Sequence, residues 1–307
     1  MGLGSAFESA AGRGGRPYKG NMLVFGTRSN NPNIYRISCN GKIKVKSVLN
    51  GNVVVRNYEN LNNSSLSIQA DANSEIKIYG DVTKLHLFNH DMGSGFSGAT
   101  YIDLSNITSI IELDCNENPH LQYINFCPNT TLTTLNCLNC TGIQSLDVSA
   151  NTALTSLNCN NTGITSLDVS ANTALTSLIC NRTSITSLDV SANTALTSLN
   201  CDNTSITSLD VSANTALTTL NCQNCTSLQI LNMSTNTLLD SNSRISSLYQ
   251  IKAIYYPATN DYISNRISTV ISQAQAADGT VYTDSAADYY QTIADAATAK
   301  GWTIEQL

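Results

Sequence analysis

The sequence predicts a mainly β solenoid, and two observations carry the prediction. Residues 145–165 read SLDVSANTALTSLNCNNTGIT, and the same wording returns almost verbatim at 166–186, at 187–207 and, in part, at 208–222. A fixed period of this size marks units that cannot bury their own apolar face and must stack on neighbours. Within each copy, apolar residues alternate through the triplets LDV and LNC. That period of two belongs to short strands.

Each copy holds two half-repeats of the form L-x-x-L-x-(V/C), as in LTSLNC at 154–159 and ITSLDV at 164–169. The outer members of a triplet point inward, and the Asp or Asn between them points to water. Triplets starting at 102, 124, 146, 167, 188, 209 and 231 form one face, and those starting at 113, 135, 157, 178, 199 and 220 the other. At ~4.8 Å per rung, roughly six and a half coils make a rod about 30 Å long over 101–244. Residues 1–20 hold six glycines and are expected to be a flexible arm. From 21 to 100 the segments KIKVKSV, NVVVRN, SLSIQA, EIKIYG and KLHLF read as an irregular β cap that blunts the edge of the first coil, with a loop at 89–98. From 245 to 307, helical spacing in 262–277 and 284–301 predicts a small α-rich C-terminal cap, with short strands such as IKAIYY.

These motifs resemble the leucine-rich repeat family, whose core is L-x-x-L-x-L-x-x-N-x-L or L-x-x-L-x-L-x-x-C-x-x-L. Leu135, Cys137, Cys140 and Ile143 match the longer form, as do Leu220, Cys222, Cys225 and Leu228. Leu157, Cys159, Thr162 and Ile164 match the shorter, with Thr162 where the family prefers Asn. The resemblance covers about 102–236 and implies a leucine-rich repeat solenoid, a recognition scaffold rather than a chemistry. The LDVS-x-NTALTSLNC wording is most similar to repeats of Bacteroidetes bacteria and their phages, and the tail resembles the closing segment of such proteins.

The other half-repeat keeps an asparagine at its turn: Asn129, Asn151, Asn172, Asn193, Asn214 and Asn236. Pointing inward, each is expected to bond the backbone groups of neighbouring turns. Cys115, Cys137, Cys159, Cys180, Cys201 and Cys222 share one inward position, where a thiol is a small apolar filler. Disulfides along this column are disfavoured, because in-register rungs hold Cβ atoms ~4.8 Å apart against the ~3.8 Å of a bridge. The C-x-x-C pairs 137/140 and 222/225 lie four coils apart, about 19 Å, and cannot share one zinc ion. No cofactor and no metal is expected.

Asp147, Asp168, Asp189 and Asp210 form an outward column. Stacked carboxylates bind cations or a basic surface, or they are simply copied with the repeat and screened by water and salt; the second reading is preferred. Neighbours at rung spacing approach the separation of a retaining glycosidase pair, but identical coils give identical environments, which cannot split an acid from a nucleophile. The Thr and Ser columns (Thr155/Ser156 and their repeats) form a hydroxyl array suited to ice or glycan, and also to β-propensity alone. His86, His90 and His120 have no metal spacing.

Only 12 % of residues are charged, about half the usual share. Residues 1–100 carry 11 Lys/Arg against 6 Asp/Glu, whereas 101–244 carry 2 against 10, which disfavours nucleic acid as a partner of the repeats. No secretory signal is read at MGLGSAFESAAGRGG, and no apolar stretch is long enough to span a membrane. The expected function is a non-enzymatic structural or binding protein of a phage virion (tail, fibre or capsid-associated). Its basic N-terminal region would dock to other virion proteins, and its repeats would face a host-surface glycan or protein. The alternative is a bacterial leucine-rich repeat interaction protein of the cytoplasm or cell surface; a third is a polysaccharide depolymerase.

Overall fold

The computed structural model describes residues 22–27, 33–39, 43–49, 52–58, 65–68, 75–79, 82–88, 99–126, 129–256, 261–283 and 290–306. The arm at 1–20 and the loop at 89–98, with His90, lie outside the described residues. Alternating apolar and polar residues first give seven strands: β1 (Met22–Thr27), β2 (Asn33–Cys39), β3 (Ile43–Leu49), β4 (Asn52–Tyr58), β5 (Ser65–Ile68), β6 (Glu75–Tyr79) and β7 (Val82–Phe88). The five segments expected to be strands are β3 to β7; β1 and β2 are additional.

The repeats follow as β8 (Ala99–Asn106), β9 (Glu112–Asp114), β10 (Tyr123–Asn125), β11 (Thr134–Asn136), β12 (Ser156–Asn158), β13 (Ser177–Ile179), β14 (Ser198–Asn200), β15 (Ser208–Asp210), β16 (Thr219–Asn221) and β17 (Ile230–Asn232). One nine-stranded sheet runs β16-β14-β13-β12-β11-β9-β7-β2-β5, and a six-stranded sheet runs β10-β8-β1-β6-β3-β4. The N-terminal strands therefore extend both faces of the first coil, β7 on β9 and β1 on β8. An uncovered first coil would present its peptide groups as a template for other chains, and this pairing removes that edge. Asn118 seals the joint: its amide donates to Leu87 O at 3.1 Å and Cys115 O at 2.8 Å.

Along the larger sheet the rungs are parallel and in register, so Leu113, Leu135, Leu157, Leu178, Leu199 and Leu220 stack into one column. All are at most 1 % exposed. The LDV face differs. Two short strands per coil were expected, and at the ends of this face β8, β10, β15 and β17 provide the second one, whereas no strand forms over 146–148, 167–169 or 188–190. Hydrogen bonds along every rung of the LNC face set its spacing near ~4.8 Å, whereas over the middle coils the opposite face has only scattered bonds between coils, such as Ser184 N–H to Ile164 O at 3.1 Å and Ser205 N–H to Ile185 O at 3.0 Å. Leu146, Leu167 and Leu188 keep 9 %, 8 % and 7 % exposure there, against 0 % for Leu178 and Leu199.

The parallel ladder does not stop at 244. β18 (Ala253–Tyr255), β19 (Thr280–Thr283) and β20 (Thr303–Gln306) continue from β15 and β17 as one five-stranded sheet. Helices α1 (Asp261–Gln273) and α2 (Tyr290–Lys300) make the returns, the usual way to join parallel strands. Their inward residues have helical spacing: Ile267, Val270 and Ile271 on α1, Ile293 and Ala297 on α2, all fully buried. Trp302 closes the end, its indole N–H donating to Ala276 O at 2.9 Å over Gly279, where a Cβ would collide with the ring.

One turn residue in successive coils is left-handed: Glu117, Asn139, Asn161, Arg182, Asn203 and Asn224, with φ between 54° and 59°. Asparagine tolerates this region; arginine does not share that advantage. Replacing Arg182 by Asn is expected to raise stability by about 0.5–1 kcal/mol, read as a higher urea midpoint at unchanged slope.

Candidate functional site

The surface is built from what each repeat position does with its polar atoms. On the LNC face, the hydroxyls of Thr155, Thr176, Thr197 and Thr218 each donate to the threonine carbonyl of the preceding coil, at 3.0–3.1 Å. The threonine column is thus committed to the ladder rather than offered to solvent. Asn136, Asn158, Asn200 and Asn221 accept the N–H two residues on, at 3.1–3.2 Å, and so start the following turn. Beyond it, Asn161 donates to Asn139 at 2.8 Å, and Asn139 to Glu117 at 2.6 Å.

The aspartate column behaves alike. Asp147, Asp168, Asp189 and Asp210 accept the N–H of Ser149, Ser170, Ser191 and Ser212 at 2.9–3.0 Å. The hydroxyls of Ser149 and Ser212 add bonds of 2.6 Å. Hydrogen bonds from the serine hydroxyl and N–H hold Asp147, Asp168 and Asp189 below the usual carboxylate range. For Asp210, burial pushes upward, and bonds from Ser212 and Asn232 outweigh it. Mutual repulsion is the smallest contribution on Asp147 and Asp189. All four carboxyls shift in the same direction, so no pair is divided into a protonated acid and an ionised nucleophile. Where the LDV triplets form no strand, Leu167, Leu188, Asp168 and Asp189 line a shallow open groove.

Inside, Cys115, Cys137, Cys159, Cys180, Cys201 and Cys222 are free thiols with no exposure. Burial pushes Cys159 up to about 12, far from a reactive thiolate at neutral pH. The asparagine column is equally buried. Asn172, Asn193, Asn214 and Asn236 each donate to a Val carbonyl at 3.0–3.1 Å and to the preceding Asn carbonyl at 2.8–2.9 Å. Asn151 donates to Asn129 O at 2.6 Å, and Asn129 to Ile107 O at 3.2 Å. Among the described residues no group of three or more His, Cys, Asp or Glu could hold a metal ion, and no helix is long and apolar enough to cross a membrane.

Two features lay beyond the sequence reading. At the junction of cap and repeats, Glu112 bonds Lys84 at 2.6 Å and His86 at 2.8 Å. The Lys84 bond, then that of His86, against burial, hold the Glu112 carboxyl below its ordinary 4.5. Its folded value is the lower one, so its stabilisation is complete above ~4.5 and fades as pH falls through the folded value. Urea titrations of wild type and Glu112→Gln should therefore differ at pH 7 and converge toward pH 3. The second feature is a pattern of difference. Across the copies at 145–165, 166–186 and 187–207, four positions vary: 158/179/200, 160/181/202, 161/182/203 and 163/184/205. In space these are the outward ends of β12, β13 and β14 and the turns that follow. Comparison of one copy with the next would have revealed them.

Repeat wording, in-register leucine column and inward asparagines together define a β-solenoid of leucine-rich repeat type. Among solved structures, the chain is similar to the functional domain of InlJ from Listeria monocytogenes, which includes a cysteine ladder, at 23 % identity and a TM-score of 0.30, covering 61 % of this chain and 57 % of that one. It is also similar to the internalin InlF of Listeria monocytogenes, at 19 % identity and a TM-score of 0.26, covering 66 % and 62 %. The chain thus spans less than two thirds of the length of either. No family model matches the chain, and no curated protein does.

Proposed function

We propose that the protein is a non-enzymatic recognition module, carried on a phage particle, that binds a host-surface protein or glycan through the LNC face and the turns beside it. The confinement of change supports this reading. Where copying has left every other position of three units identical, difference falls at the end of the LNC strand, where Asn158, Ile179 and Asn200 stand, and in the turn after it, where Asn161, Arg182 and Asn203 and then Gly163, Ser184 and Ser205 stand; at the remaining varying position Asn181 is buried. A residue needed only for stacking gains nothing by varying along one surface line; a residue that meets a partner does. The strip offers amides, an aliphatic, a guanidinium and a carboxylate on a rigid ladder, which suits directional hydrogen bonding to an extended partner.

The particle-borne part rests on the similarity to phage repeats and on the low surface charge. In this reading the basic region before residue 100 docks to other virion proteins. Mass spectrometry of purified particles tests it: peptides of this chain are expected in stoichiometric amount. Their absence from particles, with presence in uninfected cells, would favour a bacterial interaction protein instead. Substituting Ile179 and Arg182 by Asn, the residue of the flanking copies, should weaken attachment to host cells without unfolding the solenoid.

A further inference from the structure

Behind the cysteine column lies a second inward position, three residues on: Cys140, Thr162, Thr183, Thr204 and Cys225. In the middle coils the threonine hydroxyl donates to the cysteine carbonyl of its own coil, at 2.7–2.8 Å. At the two ends the thiol reaches back one coil instead. Cys140 donates to Cys115 O at 3.0 Å, and Cys225 to Cys201 O at 3.1 Å. Cys115 in turn donates to Asn136 O at 3.4 Å, and Cys201 to Asn221 O at 3.5 Å, each in the coil of its partner. Sequence spacing suggests 137 with 140 and 222 with 225; the geometry chooses partners in the preceding coil.

We propose that Cys115 with Cys140, and Cys201 with Cys225, are two oxidative modification sites that close into inter-coil disulfides when the protein meets a small disulfide such as oxidised glutathione. A thiolate attacks one glutathione sulfur, forms a mixed disulfide and expels one glutathione thiolate. The second cysteine attacks the protein-bound sulfur and expels the other. Two protein thiols are oxidised, one glutathione disulfide is reduced, and two protons pass to water. In the second pair Cys225 is the attacking group: the Thr204 hydroxyl lies 3.3 Å from its sulfur and can donate to the thiolate once formed. Local opening admits the reagent. Cys159 and Cys180 have threonine at the second position of their own coils and of the coils that follow, so they stay reduced.

Each bridge would fasten adjacent coils at one end of the verbatim array. The test incubates the reduced full chain with oxidised glutathione, blocks residual thiols in denaturant and maps cross-links by fragmentation mass spectrometry. Expected are the bridges 115–140 and 201–225, alkylated Cys159 and Cys180, and a raised Tm. The variant C140T/C225T carries the residue already native at Thr162, Thr183 and Thr204. It should fold, form neither bridge and show no rise in Tm. Full alkylation, glutathione adducts alone, or bridges within 137/140, within 222/225 or along the column would overturn the proposal. A single bridge would overturn it for the other pair.

Discussion

Leu178→Ala is expected to cost about 3–4 kcal/mol, measured as the loss of unfolding free energy in urea. The side chain is fully buried and lies in register between Leu157 and Leu199. Both neighbours are held by rung bonds, so the coil cannot collapse onto the space left behind, and the cost falls in the upper part of the range for this substitution. Stacked repeats couple only to their neighbours. A weakened middle coil should therefore also lower the denaturant slope, as the two halves of the array begin to unfold separately. Cys180→Ala, two residues away, removes a single sulfur and is expected to cost about 1 kcal/mol.

Asn193→Ala should cost about 2 kcal/mol. Its amide satisfies two buried carbonyls, Val169 O at 3.0 Å and Asn172 O at 2.9 Å. Each carbonyl keeps a backbone donor, Asn172 N–H on Val169 O and Leu175 N–H on Asn172 O, both at 3.0 Å, so the substitution removes a second bond from each, about 1 kcal/mol apiece. Asn193 Oδ1 is itself buried without a protein partner, so its loss adds nothing to that cost. Asn193→Leu is the sharper control: it fills the space and still removes both side-chain bonds. If equilibrium unfolding shows leucine restoring full stability, packing rather than hydrogen bonding holds the turn.

The leucine column was legible because a period of two within a period of 21 admits one phase, and Leu157, Leu178 and Leu199 occupy it in every copy. Other features were not legible, for definite reasons. The triplets at 146, 167 and 188 look like the strands at 157, 178 and 199, because alternation reports which side chains are buried and not which peptide groups are bonded. The segment after 244 lost the repeat wording, and its ladder is carried by Ile254, Val281 and Ile304 with helical returns between them. For the aspartate column, the motif D-x-S reads as a surface charge until the serine N–H is found on the carboxylate. Cys140 and Cys225 stand in C-x-x-C spacing with the cysteines three residues before them, which says nothing of what their thiols reach. Their actual neighbours lie 25 and 24 residues back, a distance that only the stacking defines.

The account depends on a stack of coils that encloses its cysteines. Its most direct test is the rate at which the fully reduced native chain reacts with a water-soluble thiol reagent in dilute buffer. Cys137, Cys159, Cys180 and Cys222 should react only as fast as the protein unfolds, and all ten cysteines of the chain should react at once in strong denaturant. Prompt labelling of Cys159 and Cys180 in the native protein would contradict the stack itself.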